Sequence, residues 1–137
     1  MIETSIEIRV RYQETDAMGA VYHANYLSWF DMARIEMLDI LGVPYRNLEE
    51  KGYFLPVLEV SLKYKKPARF DDRLKIVASI REIPSVRIRV HYEVLRGNEL
   101  IAMGNTMHAF VGKDGYPVKP PDAFMQKVSE HFPVNLL

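Results

Sequence analysis

The sequence predicts an α+β domain in which an antiparallel five-stranded sheet curls around one long central helix. One strand-like segment precedes a long helical pattern, and four more strand-like segments follow it. Short turns join these four segments, which favours antiparallel pairing because parallel strands need long crossovers. The helical pattern is apolar around much of its circumference, so another layer of the domain must enclose it.

The first strand is predicted at residues 2–12, where apolar and charged side chains alternate. A long helix ending at Leu41 comes next, because Gly42 followed by Pro44 is a helix stop signal. At 100° per residue, one face of this helix collects large apolar side chains that we expect to be buried. These side chains are Tyr26, Phe30, Ala33, Met37, Ile40 and Leu41.

The remaining strands are predicted at residues 54–64, 74–80, 86–95 and 100–111. Their expected inward faces are Leu58, Val60, Leu62 and Tyr64; Leu74, Ile76, Ala78 and Ile80; and Val86, Ile88, Val90, Tyr92 and Val94. The fifth strand is apolar on both faces, which indicates a central position or a subunit contact. Gly97-Asn98 predicts the tight turn before it. Short helices are expected at residues 45–50 and 122–132, the latter with Phe124, Val128 and Phe132 inward.

Composition narrows the possible functions. A chain of 137 residues predicts one domain, residues 1–137, and 18 basic against 18 acidic residues give no indication of a nucleic-acid or membrane partner. The absence of cysteine excludes disulfides, a thiol nucleophile and a thiolate metal site, and it fits the cytoplasm. The charged, alternating N-terminal segment does not resemble a signal peptide, and no apolar run approaches the roughly 20 residues of a membrane span.

The segment before the long helix is the candidate catalytic site. Asp16 lies in an irregular stretch where Gly19 permits a sharp turn, and Tyr22 and His23 then reach the first free backbone N–H groups of the helix. Such donors, at the positive end of the helix dipole, can stabilise an oxyanion. A carboxylate beside them predicts acyl transfer or hydrolysis. Tyr12 reads as an aromatic at the end of a strand, and its hydroxyl could reach the same pocket.

Other polar residues allow more than one interpretation. Lys63, Lys65, Lys66 and Arg69 form a basic cluster that is either a solvated strand face or a clamp for nucleotide phosphates. His23, His91, His108 and His131 show no metal-ligand spacing, so we expect no metal and no cofactor. Asp31 and Glu36 on the helix fit surface or inter-subunit positions.

The sequence resembles the 4-hydroxybenzoyl-CoA thioesterase family of hot-dog folds in the stretch VRYQETDAMGAVYHANYLSWFDMARIEML. A weaker resemblance follows in VLEVSLKYKKPARFDDRLKI. It is most similar to the bacterial, Tol-Pal-associated acyl-CoA thioesterases. The resemblance implies a hot-dog fold, assembled as a homodimer or homotetramer. It also implies that Asp16 is the catalytic carboxylate, that the backbone N–H of His23 forms the oxyanion hole, and that Tyr12 and His23 belong to the site.

We therefore expect an acyl-CoA thioesterase that produces a carboxylic acid and free CoA. Asp16 would act as a base on water or as a nucleophile, and the sequence does not choose between these roles. One alternative is a hot-dog hydratase or dehydratase, for which Glu36 is the remaining candidate residue. A second alternative is a non-catalytic module that binds acyl thioesters or acyl carriers, since a fold does not determine a function.

Overall fold

The computed structural model describes residues 1–132. Five strands, three α-helices and one 3₁₀ turn at Tyr12–Glu14 lie within this part of the chain. The strands are β1 (Ile2–Arg9), β2 (Val57–Tyr64), β3 (Arg73–Ile80), β4 (Ile88–Arg96) and β5 (Glu99–His108). The helices are α1 (Asn25–Leu41), α2 (Tyr45–Glu50) and α3 (Asp122–Ser129).

The strands form one antiparallel sheet in the order β1-β3-β4-β5-β2. The chain leaves β1 at one edge, passes through α1 and returns as β2 at the opposite edge. The predicted α+β class is therefore confirmed, and β5 has the interior position expected from its two apolar faces. None of the helices within residues 1–132 has the length and hydropathy needed to span a lipid bilayer.

Helix α1 is the centre of the hydrophobic core. Phe30, Ala33 and Met37 are almost completely buried, and the ring of Phe30 stacks on Tyr92 of β4 with centroids 4.2 Å apart. Trp29 and Leu38, on the flanks of the helix, are buried as well. The prediction was wrong for Ile40, which is 64% exposed. Ile40 lies at the margin of the buried face and in the last turn, where the helix leaves it to solvent.

Strand β2 departs most from the prediction. It begins at Val57 and not at residue 54, and its expected inward face is not buried. Leu58 and Val60 are each 46% exposed, Tyr64 is 49% exposed, and Leu62 is half-buried. The physical reason is that α1 packs mainly on β1 and β3, so the helix does not cover the apolar face of β2.

The other boundaries move by a few residues. The first strand ends at Arg9, so Tyr12 lies in the 3₁₀ turn and not at a strand end. Val86 is exposed in the bend before β4, where Ser85 N–H bonds to the Arg87 carbonyl, so its predicted inward position is wrong. Helix α3 ends at Ser129, with Phe124 and Val128 buried as expected and Phe132 half-buried.

Gly104 of β5 lets the edge strand approach closely. A Cβ atom at this position would lie 2.3 Å from the backbone carbonyl oxygen of Ser61 in β2. Because this obstacle is backbone, it cannot move aside as a flexible side chain would. Glycine at this position therefore allows β2 to pair closely with β5, and the Tyr64 hydroxyl at the end of β2 bonds to the His23 carbonyl before α1.

Candidate active site

The turn between β1 and α1 fixes the carboxylate of Asp16. Its Oδ1 accepts hydrogen bonds from the backbone N–H of Met18 at 2.9 Å and of Ala20 at 3.3 Å. Its own N–H donates to the Ala20 carbonyl, and Gly19 adopts the positive φ of 80° that closes the turn. Oδ2 has no hydrogen-bond partner among residues 1–132, so the carboxylate is held by one oxygen and presents the other.

Glu14 anchors this turn from inside the protein, and the sequence reading missed it. Its carboxylate is buried and accepts from the Trp29 indole N–H at 2.9 Å and from the Arg11 backbone N–H at 2.8 Å. Burial alone would raise the pKa of this carboxyl. The hydrogen bonds from the Arg11 backbone and from Trp29, with the Arg11 side chain, outweigh burial and hold the pKa below its ordinary value. Glu14 is therefore an ionised structural group.

Glu14 also holds the segment that leads into α1. Its main-chain oxygen accepts from the Tyr22 N–H at 2.8 Å and from the Asn25 side-chain amide at 2.7 Å. The expectation that the Tyr22 N–H is free was therefore wrong, because the folded turn gives it an acceptor. The only sequence signal for Glu14 was the single Trp29, whose indole N–H needs a partner once the ring is buried.

The backbone N–H groups of His23 and Ala24 are not engaged in hydrogen bonds within the described part of the chain. They lie just before the first residue of α1, Asn25, where the positive end of the helix dipole adds to their donor character. The His23 side chain is exposed and its ring packs against Tyr22, with centroids 4.3 Å apart. The structure thus leaves the main chain at His23 available to accept an anion.

Asp16 and His23 line the same pocket, which has a volume of about 300 Å³. Apolar and aromatic side chains form much of its remaining wall. The other lining residues are Ala20, Val21, Tyr26, Tyr64, Lys65, Lys66 and Pro67. The pocket therefore combines a carboxylate, a residue with an unengaged backbone N–H and two lysines on a wall of mixed polarity, an arrangement that can hold a substrate with apolar and anionic parts.

The predicted basic cluster is divided by the fold. Lys65 and Lys66 line the pocket, whereas Lys63 lies on the outer face of the sheet beside Arg81 and His91. The Lys66 ammonium is 2.6 Å from a Glu99 carboxylate oxygen, and Lys66 and then Arg96 lower the pKa of that carboxyl through hydrogen bonds. Arg69 belongs to the loop before β3, with its guanidinium beside Gly19.

Tyr12 is not on the wall of this pocket. Its side chain is 76% exposed, and its ring contacts Phe70 edge-to-face with centroids 5.5 Å apart. Glu36 is exposed on α1 and does not line the pocket either. Within residues 1–132, no group of three or more histidine, aspartate or glutamate side chains is placed to hold a metal ion.

Comparison with known proteins shows the family to which this chain is similar. Residues 10–128 match the model of the thioesterase-like superfamily. YneP of Bacillus subtilis, named as a candidate acyl-CoA thioesterase, is 34% identical over 120 residues, covering 86% of this chain and 87% of YneP. The acyl-CoA thioesterase YbgC of Haemophilus influenzae is 32% identical over 129 residues, 93% of each chain.

A solved structure shares the architecture. The crystal structure of a DHNA-CoA thioesterase from Staphylococcus aureus superposes with a TM-score of 0.90 at 30% identity, covering 95% of this chain and 91% of that one. The five-stranded antiparallel sheet around a long helix is thus the hot-dog fold of these enzymes, as predicted. With the family model matched over most of its length, this chain belongs to the thioesterase-like superfamily.

Proposed function

We propose that the protein is an acyl-CoA thioesterase that hydrolyses the thioester to a carboxylic acid and free CoA. The observation that carries this proposal is one pocket lined by both the Asp16 carboxylate, with its Oδ2 free, and His23, whose backbone N–H is unengaged. The resemblance at Tyr12, Asp16 and His23 supports the bacterial, Tol-Pal-associated acyl-CoA thioesterases as the proposed subgroup. The cysteine-free composition is consistent with a cytoplasmic enzyme.

Asp16 has two chemically balanced roles open to it. As a base, it takes a proton from water while the water oxygen attacks the thioester carbonyl carbon, and the C–S bond then breaks to release the CoA thiolate, which takes up a proton. As a nucleophile, its carboxylate displaces CoA to form a mixed anhydride that water hydrolyses. Both routes place negative charge on the carbonyl oxygen, which the His23 N–H would stabilise.

The expected contributions of these groups are large. A positioned general base accelerates such a step by roughly 10²–10⁴-fold. One oxyanion donor contributes about 3–4 kcal/mol of transition-state stabilisation. Both the turn that carries Asp16 and the start of α1 should therefore be essential for turnover.

The lysines supply a place for the CoA phosphates. Lys65 and Lys66 stand at the pocket that holds Asp16, and ammonium groups pair with phosphate as point charges. Lys66 is shared with Glu99, so Lys65 is the freer of the two cations. Two further substrate contacts are predicted. They are Arg69, beside the Asp16 turn, and Lys63, on the other face of the sheet.

We also propose that the enzyme is a homodimer or homotetramer. Within residues 1–132 strand β2 pairs with β5 alone, and it leaves Leu58, Val60 and Tyr64 exposed along the sheet edge. An uncovered apolar edge strand is a surface that a second copy would cover. Light scattering coupled to size-exclusion chromatography tests this, and a monomer at micromolar concentration would contradict it.

The test of function is thiol release from a panel of short, long and aromatic acyl-CoAs. We expect turnover of at least one panel member and no hydration of crotonyl-CoA measured in parallel. Hydration without thiol release would identify a hydratase instead. Binding without turnover, unchanged in Asp16→Ala, would identify a binding module.

A further inference from the structure

The hydroxyl of Tyr64 reaches across the pocket to the main chain at the start of α1. It donates a hydrogen bond of 2.8 Å to the carbonyl oxygen of His23 and so joins the end of β2 to the residue that carries the proposed oxyanion donor. Tyr64 also lines the pocket together with Asp16. This contact links two segments that are 41 positions apart in the sequence.

The bond acts on a defined peptide unit. A trans peptide is planar, with its C=O and N–H pointing in opposite directions, and no cis peptide is present among the described residues. A donor on the His23 oxygen therefore fixes the plane of this peptide, and the Ala24 N–H points away from Tyr64 and from the pocket, which Ala24 does not line. The preceding peptide is fixed separately, because the Tyr22 oxygen accepts from the Asn25 N–H at 3.0 Å and so sets the direction of the His23 N–H.

The Tyr64 ring is itself held in place. It packs edge-to-face on Tyr26 with centroids 5.2 Å apart, and Tyr26 packs in the same way on Trp29 at 4.9 Å. Trp29 donates to the buried Glu14 carboxylate, whose residue also holds the Tyr22 N–H. The His23 peptide is thus supported by β2 on one side and by the Glu14 anchor on the other.

The chemistry of the donor also fits. Burial raises the pKa of the Tyr64 hydroxyl, so the group stays protonated and can donate over the working pH range. Donors that are already oriented need no reorganisation when the oxyanion forms.

We propose that Tyr64 is a positioning residue for the thioesterase reaction, because its hydroxyl holds the His23 carbonyl and so fixes the main chain that carries the proposed oxyanion donor, the His23 N–H. This inference rests on the proposed function. Tyr64 would act through the main chain and not through a bond to the substrate, so its loss should slow the chemical step without weakening ground-state binding.

Tyr64→Phe removes the hydroxyl and keeps the ring, and Tyr116→Phe on the exposed loop after β5 is the matched control. For Tyr64→Phe we expect kcat for thiol release to fall roughly tenfold, as for the loss of one hydrogen bond, with KM within about twofold of wild type. We expect no kinetic change in Tyr116→Phe. A wild-type kcat in Tyr64→Phe, or a raised KM at unchanged kcat, would overturn the proposal.

A second readout does not depend on activity. The ¹⁵N chemical shift of the Ala24 amide senses a hydrogen bond on the preceding carbonyl, so it should move in TROSY spectra of Tyr64→Phe and stay in place in Tyr116→Phe. An unmoved Ala24 signal would refute the positioning role even if activity fell. If the wild-type protein hydrolyses no acyl-CoA, the proposed function is wrong, and the catalytic effect of Tyr64 is wrong with it. The ¹⁵N shift of Ala24 still decides whether Tyr64 holds this peptide.

Discussion

Lowering the pH should destabilise the protein through one buried histidine. His108 of β5 is completely buried, with its Nδ1 3.1 Å from the Pro56 carbonyl oxygen and 3.4 Å from that of Leu55. These acceptors require a proton on Nδ1. Nε2 must then accept from the Thr106 hydroxyl, which is 2.7 Å away.

The direction of this hydrogen bond sets the direction of the next one in a buried network. With Thr106 donating to His108, the Thr106 oxygen accepts from the Tyr92 hydroxyl at 2.8 Å, and the Tyr92 oxygen accepts from Arg34 at 3.1 Å. A proton added to Nε2 would force Thr106 to turn towards Tyr92. The Tyr92 hydroxyl would then lose its acceptor while it remained beside the Arg34 cation, so neutral His108 is the form that the fold accommodates.

The magnitude follows from the pKa. Burial, and then the nearby Arg34 charge, lower the pKa of His108 from 6.5 to about 4, despite the opposing effect of the two carbonyls. Between these values the unfolded chain binds more protons than the folded one, so stability is full above pH 6.5 and is lost as the pH falls towards 4. The complete shift corresponds to about 3 kcal/mol, of which about 2 kcal/mol is lost between pH 7 and pH 5.

The assay is urea unfolding at pH 7 and pH 5 in wild type, His108→Gln and His131→Gln. Glutamine at position 108 keeps a donor and an acceptor without titrating, and carboxylate effects cancel in the comparison. We expect the loss of unfolding free energy between the two pH values to be about 2 kcal/mol smaller in His108→Gln than in wild type. The exposed control His131→Gln should behave as wild type. An equal loss in His108→Gln would refute the reasoning.

Two substitutions test the frame of the site. In Glu14→Gln an amide N–H faces the N–H donor of either Trp29 or Arg11, so one hydrogen bond is lost. The free energy of unfolding should fall by about 2–3 kcal/mol. The emission maximum of the single tryptophan should also shift. Unchanged stability and fluorescence would show that Glu14 is not an anchor. Gly104→Ala should lower stability by roughly 3 kcal/mol or more, because its Cβ meets the Ser61 carbonyl. Gly97→Ala is the control for the steric conflict, because a Cβ at position 97 meets no atom within 4 Å. Its φ of 62° adds backbone strain but no clash.

The spacing of apolar residues predicted the buried faces of those helices and strands that are covered by other parts of the same chain. Phe30 and Met37 on α1, and Leu74 and Ile76 on β3, are buried because the sheet and the helix cover each other. The same alternation in β2 predicted a buried face that is exposed. A pattern shows that one face is apolar, but it does not show which surface covers that face, and α1 packs mainly on β1 and β3 and not on β2.

The candidate site was predictable only where its chemistry is local in sequence. Asp16, Gly19 and His23 lie within eight positions of the sequence, and a family resemblance includes this stretch. Glu14 and Tyr64 were missed because their partners lie 15 and 41 positions away, a proximity that the tertiary fold creates. The Tyr22 N–H was expected to be free for the same reason, since its acceptor on Glu14 becomes visible only in the folded turn.

The role of Asp16 is the central claim, and kcat for thiol release by Asp16→Asn tests it most directly. Asp114→Asn is the matched control, because Asp114 also holds a turn through its Oδ1, bonded to the Tyr116 N–H at 3.0 Å, and it does not line the pocket that holds Asp16. We predict that Asp16→Asn lowers kcat at least about a hundredfold with unchanged unfolding, while Asp114→Asn keeps wild-type turnover. Near-normal turnover of the acyl-CoA panel by Asp16→Asn would contradict the account.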